Sequence, residues 1–201
     1  MKQVVLASGN AGKLKEFGQR LAPLGIELVP QTQFVTEEVE ETGLSFVENA
    51  IIKARHAAAA SGMPSLADDS GLEVDALGGA PGIYSARYAG STLNGQAKDA
   101  ANSAQLIADL EHIPMSQRTA RFQCVLVYMR HATDPTPLIC QAAWEGLIMD
   151  GVQGEHGFGY DPIFQVLEKG CRAAQLTPTQ KIAISHRGKA LAKLQRALAE
   201  A

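Results

Sequence analysis

Apolar residues in the first third of the chain alternate between short continuous runs and helical spacing. Residues 4–7 and 26–29 are apolar runs typical of buried strands, and between them helical spacing is shown by Leu14, Phe17, Leu21 and Leu24. Ser45 and Glu48 form a capping-box pattern, which predicts a helix that ends near Ala60, before Gly62. Residues 64–67 are predicted to form a third strand, and residues 72–74 another short one.

The second half of the chain has longer β segments. Residues 78–90 hold four glycines and a proline and are predicted as a loop, and residues 96–111 as a helix with Leu106 and Leu110 inward. Residues 121–130 and 137–148 favour an antiparallel hairpin around the turn at 134–137. A glycine-rich loop at 151–159, a strand at 163–166 and a last helix capped by Ser185 follow. Strands that first alternate with helices and then form a hairpin predict an α/β fold with a mixed sheet.

Composition narrows the class of protein. With 201 residues the chain suits one domain or two small lobes, and its net charge of −3 does not favour nucleic acid as a partner. No apolar run approaches the length of about 20 residues that a membrane helix needs. The cysteines, Cys124, Cys140 and Cys171, contain no Cys-x-x-Cys pair and are expected to be small buried thiols. A cytoplasmic location, no disulfide and no membrane partner are the expectations.

The turn after the first strand is a candidate phosphate site, formed by Ser8, Gly9, Asn10, Ala11, Gly12 and Lys13. Backbone amides in such a turn can face an anion, the start of the helix adds partial positive charge, and Lys13 adds a full one. The turn is not a Walker A loop, because Leu14 stands where a magnesium-binding Ser or Thr would be. The competing interpretation is an ordinary strand-to-helix turn with a solvated lysine.

Paired carboxylates make residues 68–71 a candidate magnesium site. Asp68 and Asp69 directly follow the predicted strand, and two adjacent carboxylates are costly unless one meets a cation such as Mg²⁺. If the strand continued, the pair would point to opposite faces, so only one need reach the site. The acidic stretch 33–43, ending in Glu40 and Glu41, is a second source of a ligand, and Lys53 on the next helix could face a phosphate. The alternative for the Asp68–Asp69 segment is a turn held by hydrogen bonds to the backbone. The alternative for the acidic stretch is a solvated loop, and for Lys53 an exposed helical lysine.

Two motifs near the C-terminus suit a base. In Gly157–Pro162 an aromatic residue, Phe158, lies between two glycines, so one ring face can stack on a base, while Asp161 can accept hydrogen bonds from a ligand or from the backbone. His186 and Arg187 begin the last helix, where cations oppose the helix dipole unless an anion or carbonyl is bound, and Lys181 adds a donor. A core aromatic and a surface basic pair are the alternatives.

Six segments in fixed order resemble the HAM1/inosine triphosphate pyrophosphatase family, and within it the bacterial RdgB-type enzymes. They are SGNAGK, EETG with NA-x-x-KA, ADDSG-L, GGAPGIYSARY, GFGYDP and SHRG-x-AL, and they cover nearly the whole chain. The resemblance implies one pyrophosphatase domain over residues 1–201, with an elongated mixed sheet flanked by helices and two lobes around an active-site cleft. It also implies a homodimer that hydrolyses ITP, dITP and XTP with Mg²⁺, so that aberrant nucleotides are removed from the pool.

The resemblance assigns roles to individual residues. Ser8 to Lys13 are implied as the phosphate turn, Lys53 as a further phosphate contact, Asp69 as the metal-binding residue that activates water, and Asp68 as its neighbour. Either Glu40 or Glu41 is implied as a second metal ligand. The implied nucleotide contacts are Ser70, Phe158, Gly159, Tyr160, Asp161, Lys181, His186 and Arg187.

Two other functions stay open on the sequence. One is a Maf-like nucleotide pyrophosphatase that prefers pyrimidine or modified nucleotides, against which the GFGYDP and SHRG segments speak. The other is a nucleotide-binding regulatory module without turnover, against which the acidic candidates speak because phosphate binding alone favours cations.

Overall fold

Helices and strands alternate through the first half of the chain. The computed structural model of the chain describes residues 1–35, 37 and 39–200, so Thr36, Ala201 and Glu38 of the acidic stretch lie outside the described residues. The α-helices are α1 (Ala11–Leu21), α2 (Phe46–Ser61), α3 (Gly95–Asp109), α4 (Pro178–Ile184) and α5 (His186–Ala199). The strands are β1 (Lys2–Leu6), β2 (Ile26–Pro30), β3 (Ser65–Val74), β4 (Pro81–Gly82), β5 (Thr119–Met129), β6 (Leu138–Ile148), β7 (Phe164–Val166) and β8 (Cys171–Arg172).

The strands form a mixed sheet. Its order is β2-β1-β3-β5-β6-β7-β8, and β4 pairs with β3. β1 is parallel to β2 and to β3, whereas β4 is antiparallel to β3 and β7 is antiparallel to β6 and to β8. The predicted α/β class with a mixed sheet is therefore confirmed.

The chain divides into two compact units. The first contains Met1–Asp69, Cys124–Ala142 and the end of the chain from Ala190, and the second contains Ser70–Gln123 and Ala143–Lys189. Among the described residues, no helix is both long enough and apolar enough to cross a bilayer.

In the first unit, β1 lies between two parallel neighbours that the chain reaches in opposite directions. It passes from β1 through α1 to β2 on one side, and then through α2 to β3 on the other. Because such crossovers are right-handed, this reversal places α1 and α2 on opposite faces of the sheet. The buried faces of these helices include Phe17 and Leu21 on α1, and Ala50 and Ala54 on α2.

The second unit has its own apolar core. Leu106 lies in α3 and Leu110 directly follows that helix. Both are fully buried in a cluster with strand residues such as Phe122, Trp144 and Phe164. The predicted inward orientation of Leu106 and Leu110 is confirmed. In the same cluster the Phe122 and Phe164 rings are 4.6 Å apart between centroids.

Local predictions differ from the structure in four places. Residues 64–67 and 72–74 were predicted as separate strands but belong to one strand, β3, so Asp68 and Asp69 lie inside a strand rather than in a turn after it. The predicted loop at 78–90 contains the short strand β4, and α4 has no counterpart among the predicted helices. α1 ends at Leu21 and a 3₁₀ turn continues to Leu24, because Pro23 lacks the amide that the next helical turn needs.

The helix boundaries signalled by caps are confirmed. The Ser45 hydroxyl accepts a hydrogen bond from the Glu48 amide at the start of α2, and Gly62 ends this helix in the left-handed conformation at φ 68°. Ser185 accepts from the Gly188 amide at the start of α5. Cys124 and Cys140 are buried as expected, whereas Cys171 is only partly so, and all three thiols are free.

Candidate active site

The turn from β1 to α1 keeps several backbone amides unused. The Asn10 side chain caps α1 by accepting from the Lys13 amide at 3.1 Å, and the Ser8 hydroxyl accepts from the Asn10 amide at 3.1 Å. Among the hydrogen bonds of the described residues, the amides of Gly9, Ala11 and Gly12 have no acceptor within the protein. Donors at an exposed helix start must bond water or a ligand, so this turn can bind an anion.

The turn lies at the point where the order of the strands reverses. β1 and β3 are neighbours with Leu6 opposite Leu66, and the Ala7 amide donates to the Leu66 carbonyl at 2.8 Å. The parallel register therefore carries the turn that begins at Ser8 alongside Asp68. Ligands of open α/β sheets bind at such a reversal, at the carboxyl ends of the strands.

The adjacent carboxylates of β3 each meet a different lysine. Neighbouring side chains of a strand point to opposite faces, as was expected for a continued strand, and α1 and α2 cover those faces. Lys13 of α1 places Nζ 3.5 Å from Oδ2 of Asp68, and Lys53 of α2 places Nζ 2.6 Å from Oδ1 of Asp69. Both aspartates are thus compensated by a cation from the helix on their own side of the sheet.

Lys53 also contacts one of the two candidate glutamates. Its Nζ lies 2.9 Å from Oε1 of Glu41, whereas Glu40 is exposed and makes no ion pair among the described residues. Of the pair that the sequence left open, Glu41 is thus the one that contacts Lys53, and its role as a metal ligand stays a prediction. Lys53, Glu41 and Asp69 together form an ion-pair cluster whose side chains are 17%, 27% and 11% exposed, so water screens it only partly.

Burial controls the protonation of this cluster. Burial would lower the pKa of Lys53, but its ion pairs with Asp69 and Glu41 outweigh that effect and raise the pKa. For Asp69 the loss of solvent is the largest effect and raises its pKa to about 6, against the opposing pull of Lys53 and with the repulsion of Glu41 and Asp68. A carboxyl whose pKa is near neutrality can both hold and release a proton, as a general base requires.

A loop of the second unit exposes an aromatic ring. Phe158 is 59% exposed, which contradicts the alternative of a core aromatic, whereas Tyr160 is buried and its hydroxyl donates to the Ser85 carbonyl at 2.8 Å. Burial raises the pKa of Tyr160. Tyr160, predicted to contact the nucleotide, is therefore an anchor of the loop in this structure, and Phe158 is the ring that is open to a ligand.

Asp161 organises the same loop from inside. It is 1% exposed, accepts from the Phe158 amide at 2.9 Å and forms an ion pair with Lys181. A Cβ at Gly157, where φ is +80°, would lie 2.1 Å from Oδ2 of Asp161, so glycine is needed on both counts. Of the two acceptor roles predicted for Asp161, the structure shows the one toward the backbone.

The cations predicted near a base meet the Phe158 ring. Lys181 Nζ lies 4.9 Å from the ring centroid and Arg187 Cζ lies 5.6 Å from it. Cations at these distances are attracted by the ring face. Phe158, Lys181 and Arg187 therefore form one group, although the two motifs that supply them lie about 20 to 30 residues apart in the chain.

His186 and Arg187 are buried rather than exposed, which excludes the alternative of a surface basic pair. Each is 5% exposed, and His186 stacks on Phe122 with ring centroids 4.8 Å apart and an interplanar angle of 12°. A Cβ at Gly188 would lie 1.7 Å from the Ile182 carbonyl oxygen, so only glycine lets α5 start this close to α4. The SHRG segment thus combines a cap, two buried basic side chains and a glycine required by close packing.

Sequence reasoning missed residues that hold the site loops. Asn49 of α2 is fully buried, and its Oδ1 accepts from the Gly43 amide at 2.8 Å, which fixes the segment that carries Glu41. A buried amide on the inner face of an amphipathic helix was the available signal.

Ser70, a predicted nucleotide contact, follows Asp69 in β3 and is partly buried.

The carboxylates of Glu41 and Asp69 are the side chains that could hold a divalent cation. Among the described residues, no group of three or more His, Cys, Asp or Glu side chains could ligate a metal together. Mg²⁺ needs only one or two carboxylates, because waters and substrate phosphates complete its six oxygens. Two carboxylates that already share one cation, the Lys53 ammonium, fit that requirement.

Comparison with known proteins agrees with the fold and with these motifs. A model of the Ham1 family matches residues 4–197. A protein of Shewanella oneidensis named dITP/XTP pyrophosphatase is 59% identical over 200 residues, covering 100% of this chain and 95% of the relative. One of the same name from Photobacterium profundum is 57% identical over the full length of both chains. The solved structure of a HAM1 protein from Coxiella burnetii superposes with a TM-score of 0.93 at 50% identity, covering 100% of both chains. The chain therefore belongs to the Ham1 family.

Proposed function

We propose that this chain hydrolyses the aberrant purine nucleoside triphosphates ITP, dITP and XTP to the monophosphate and pyrophosphate. The observation that carries the proposal is the placement of Lys13, Lys53 and unused backbone amides around the paired carboxylates of β3. The names of the relatives from Shewanella and Photobacterium support the same substrates. Those relatives and the Ham1 match give no support to the Maf-like alternative.

The phosphates are the part of the substrate that suits the first unit. The amides of Gly9, Ala11 and Gly12 supply neutral donors, and Lys13 and Lys53 supply two positive charges. Substrate phosphates would compete with Asp68 and Asp69 for these lysines, because each lysine is already held by a carboxylate. The ion pairs thus keep both lysines oriented before the substrate arrives, which lowers the cost of ordering them on binding.

We propose Mg²⁺ as the cofactor, held by Glu41 and Asp69. Bound there, it would neutralise charge on the phosphate chain and so favour attack at phosphorus. Lys53 lies within hydrogen-bonding distance of both proposed ligands, and would keep them oriented while the cation exchanges.

Asp69 is the proposed general base. A water oxygen attacks the α-phosphorus, the bond from that phosphorus to the oxygen bridging to the β-phosphate breaks, and pyrophosphate leaves. The proton lost by the water would pass to the Asp69 carboxylate, which lies beside the proposed cation. No covalent intermediate on the protein is required.

The purine base suits the group around Phe158. The exposed ring offers stacking, and Lys181 and Arg187 beside it are donors only. Donors can bond the 6-carbonyl of hypoxanthine or xanthine but leave the 6-amino group of adenine unpaired, which is a strong basis for rejecting ATP. Guanine shares the carbonyl, so its exclusion must act on the 2-amino group.

A homodimer and a cytoplasmic location belong to the same proposal. The family resemblance supports the dimer, and three free cysteines without a disulfide suit a reducing compartment. Size-exclusion chromatography with light scattering tests the dimer: a molecular mass of twice the 21.3 kDa of one chain is expected.

Pyrophosphate release from ITP, XTP, GTP, ATP and TTP, with and without Mg²⁺, tests the activity. Selective release from ITP and XTP that needs Mg²⁺ is the expected result, and Asp69→Asn measured in parallel reports any contaminating hydrolase. Release mainly from TTP would instead support the Maf-like function. Binding of ITP without release from any nucleotide would support the regulatory module.

A further inference from the structure

Helix α3 contacts the Phe158 loop, although it lies in a segment that carries none of the six family motifs. Asp99, in the second turn of α3, accepts a hydrogen bond from the Gly159 amide, with Oδ2 2.8 Å from the nitrogen. Ser103, one turn later, donates from Oγ to the Gly159 carbonyl at 3.4 Å. Residues four apart share one helix face, so one face of α3 bonds both polar backbone groups of Gly159.

The same helix face also fixes the residue after Gly159. The side chain of Asn102 is buried. Its Oδ1 accepts a hydrogen bond from the backbone amide of Ala89 at 2.9 Å, and its Nδ2 donates to the Ser85 carbonyl at 3.4 Å. The Ser85 carbonyl is also the acceptor for the Tyr160 hydroxyl, at 2.8 Å. α3 thus holds the loop at Gly159 directly and at Tyr160 through Ser85.

These contacts leave Phe158 with little freedom of its backbone. Its own amide is bonded to Asp161, and the next amide is bonded to Asp99. Two successive amides that donate to two carboxylates form charge-assisted bonds, which are stronger than bonds between neutral groups. The ring, 59% exposed, is therefore presented by a restrained backbone although its side chain projects into solvent.

We propose that Asp99, assisted by Ser103, is a positioning residue for recognition of the base, and that it acts by holding the backbone that presents Phe158. This inference rests on the proposed role of Phe158 in stacking. The role assigned to Asp99 is an indirect one, because the contact that the structure shows for its carboxylate is with the Gly159 amide. Its loss should weaken binding of the ground state and of the transition state alike, which raises KM and leaves kcat nearly unchanged.

Steady-state pyrophosphate release from ITP tests the proposal with Asp99→Ala, Asp99→Asn and a matched control. Asp99→Ala is expected to raise KM about tenfold, with kcat within about twofold of the wild type. Asp99→Asn keeps an acceptor oxygen and is expected to restore most of the affinity. Asp109→Ala is the control: this aspartate lies on the same helix, and its hydrogen bonds among the described residues are with the Tyr88 hydroxyl and Gln105 rather than with the loop. It should leave KM unchanged.

A double-mutant cycle with Phe158→Ala separates positioning from general destabilisation. If Asp99 acts through the ring, Asp99→Ala should add little to the KM of Phe158→Ala. Full additivity of the two effects, or a wild-type KM in a folded Asp99→Ala variant, would overturn the proposal. Should Asp99→Ala fail to fold, Ser103→Ala gives the same test with a smaller expected rise in KM.

The same experiment distinguishes this inference from the proposed function. Absence of release by the wild type would contradict the function itself. An unchanged KM in Phe158→Ala would contradict the stacking role on which the inference rests. A raised KM in Phe158→Ala together with an unchanged KM in Asp99→Ala would reject the inference alone.

Discussion

The ammonium group of Lys53 lies 2.6 Å from Oδ1 of Asp69, and this contact joins helix α2 to the middle of strand β3. The same ammonium lies 2.9 Å from Oε1 of Glu41. One lysine therefore gathers both carboxylates to which we assign the metal, from an irregular segment and from a strand.

Glu41→Gln should impair the response to Mg²⁺, whereas Glu40→Gln should not. Of these two glutamates, Glu41 is the one that forms an ion pair with Lys53, so loss of its charge removes one proposed ligand oxygen. We expect the Mg²⁺ concentration for half-maximal rate to rise at least about tenfold in Glu41→Gln. A Mg²⁺ titration of pyrophosphate release measures it. Equal shifts in the two variants would show that general acidity of this segment, rather than Glu41, matters.

Asp69→Asn should abolish turnover and remove a pH dependence of stability. Turnover is expected to fall by about 10²–10⁴-fold, as for loss of a general base. The folded-state pKa of Asp69 is raised to about 6, so between its unfolded value near 3.8 and 6 the folded state binds more protons. The free energy of unfolding of the metal-free wild type should therefore fall, relative to that of Asp69→Asn, as pH rises through this window. Between pH 4.5 and pH 7 the fall should be on the order of 2 kcal/mol.

Urea unfolding of both proteins in EDTA at pH 4.5, 5.5 and 7 measures this difference. A constant difference between the two proteins across that range would contradict the assigned burial effect on Asp69.

Phe158→Ala should raise KM for ITP, and Leu167→Ala should not. Both side chains are 59% exposed in the second unit, so the pair is matched for exposure. Loss of a stacking ring costs about 1–3 kcal/mol, which corresponds to a rise in KM of about 5- to 150-fold. Phe158→Trp should retain affinity because it keeps an aromatic face. Steady-state kinetics with ITP measure KM for each variant. An equal KM in Phe158→Ala and Leu167→Ala would contradict the stacking role of Phe158.

Arg187→Ala should reduce discrimination between ITP and ATP. Arg187 is a donor-only side chain held 5.6 Å from the Phe158 ring centroid, so its loss removes a partner that the 6-carbonyl can use and the 6-amino group cannot. The ratio of kcat/KM for ITP over ATP is expected to fall about tenfold or more. Arg196→Ala on the same helix, an exposed position, is the control. An unchanged ratio in Arg187→Ala would assign base reading to other residues.

Gly188→Ala should destabilise the protein, whereas Gly18→Ala should stabilise it. The new methyl at 188 would lie 1.7 Å from the Ile182 carbonyl oxygen, so α4 and α5 would have to separate, at a cost of about 3 kcal/mol or more. A Cβ at Gly18, within α1, would meet no atom within 4 Å, and alanine there should add about 0.5–1 kcal/mol. Thermal unfolding followed by circular dichroism measures both changes.

Local signals in the sequence predicted elements whose ends are chemically marked. Ser45 and Ser185 mark the starts of α2 and α5, because each hydroxyl accepts a hydrogen bond from a backbone amide of the first helical turn. Gly62 marks the end of α2, because it adopts the left-handed conformation there. Asp68 and Asp69 were misplaced relative to β3 because adjacent aspartates and a glycine have low strand propensity. In the structure these two aspartates continue the strand, each with a lysine from α1 or α2. The compensating cations that the structure shows are Lys13 and Lys53, while the Mg²⁺ predicted for this pair stays a prediction.

The sequence by itself determined the family, the mixed α/β class and the residue types of the candidate site, since ordered motifs and local periodicity are properties of neighbouring residues. The tertiary structure decided which side chains meet. It brought Glu41 rather than Glu40 to Lys53, and it gave Asp68 and Asp69 separate lysines. It also stacked the buried His186 on Phe122 and brought Asp99 into contact with the Gly159 amide. These contacts depend on the register of strands and on the faces that helices cover. Both are fixed by packing between segments distant in the chain, which no local pattern encodes.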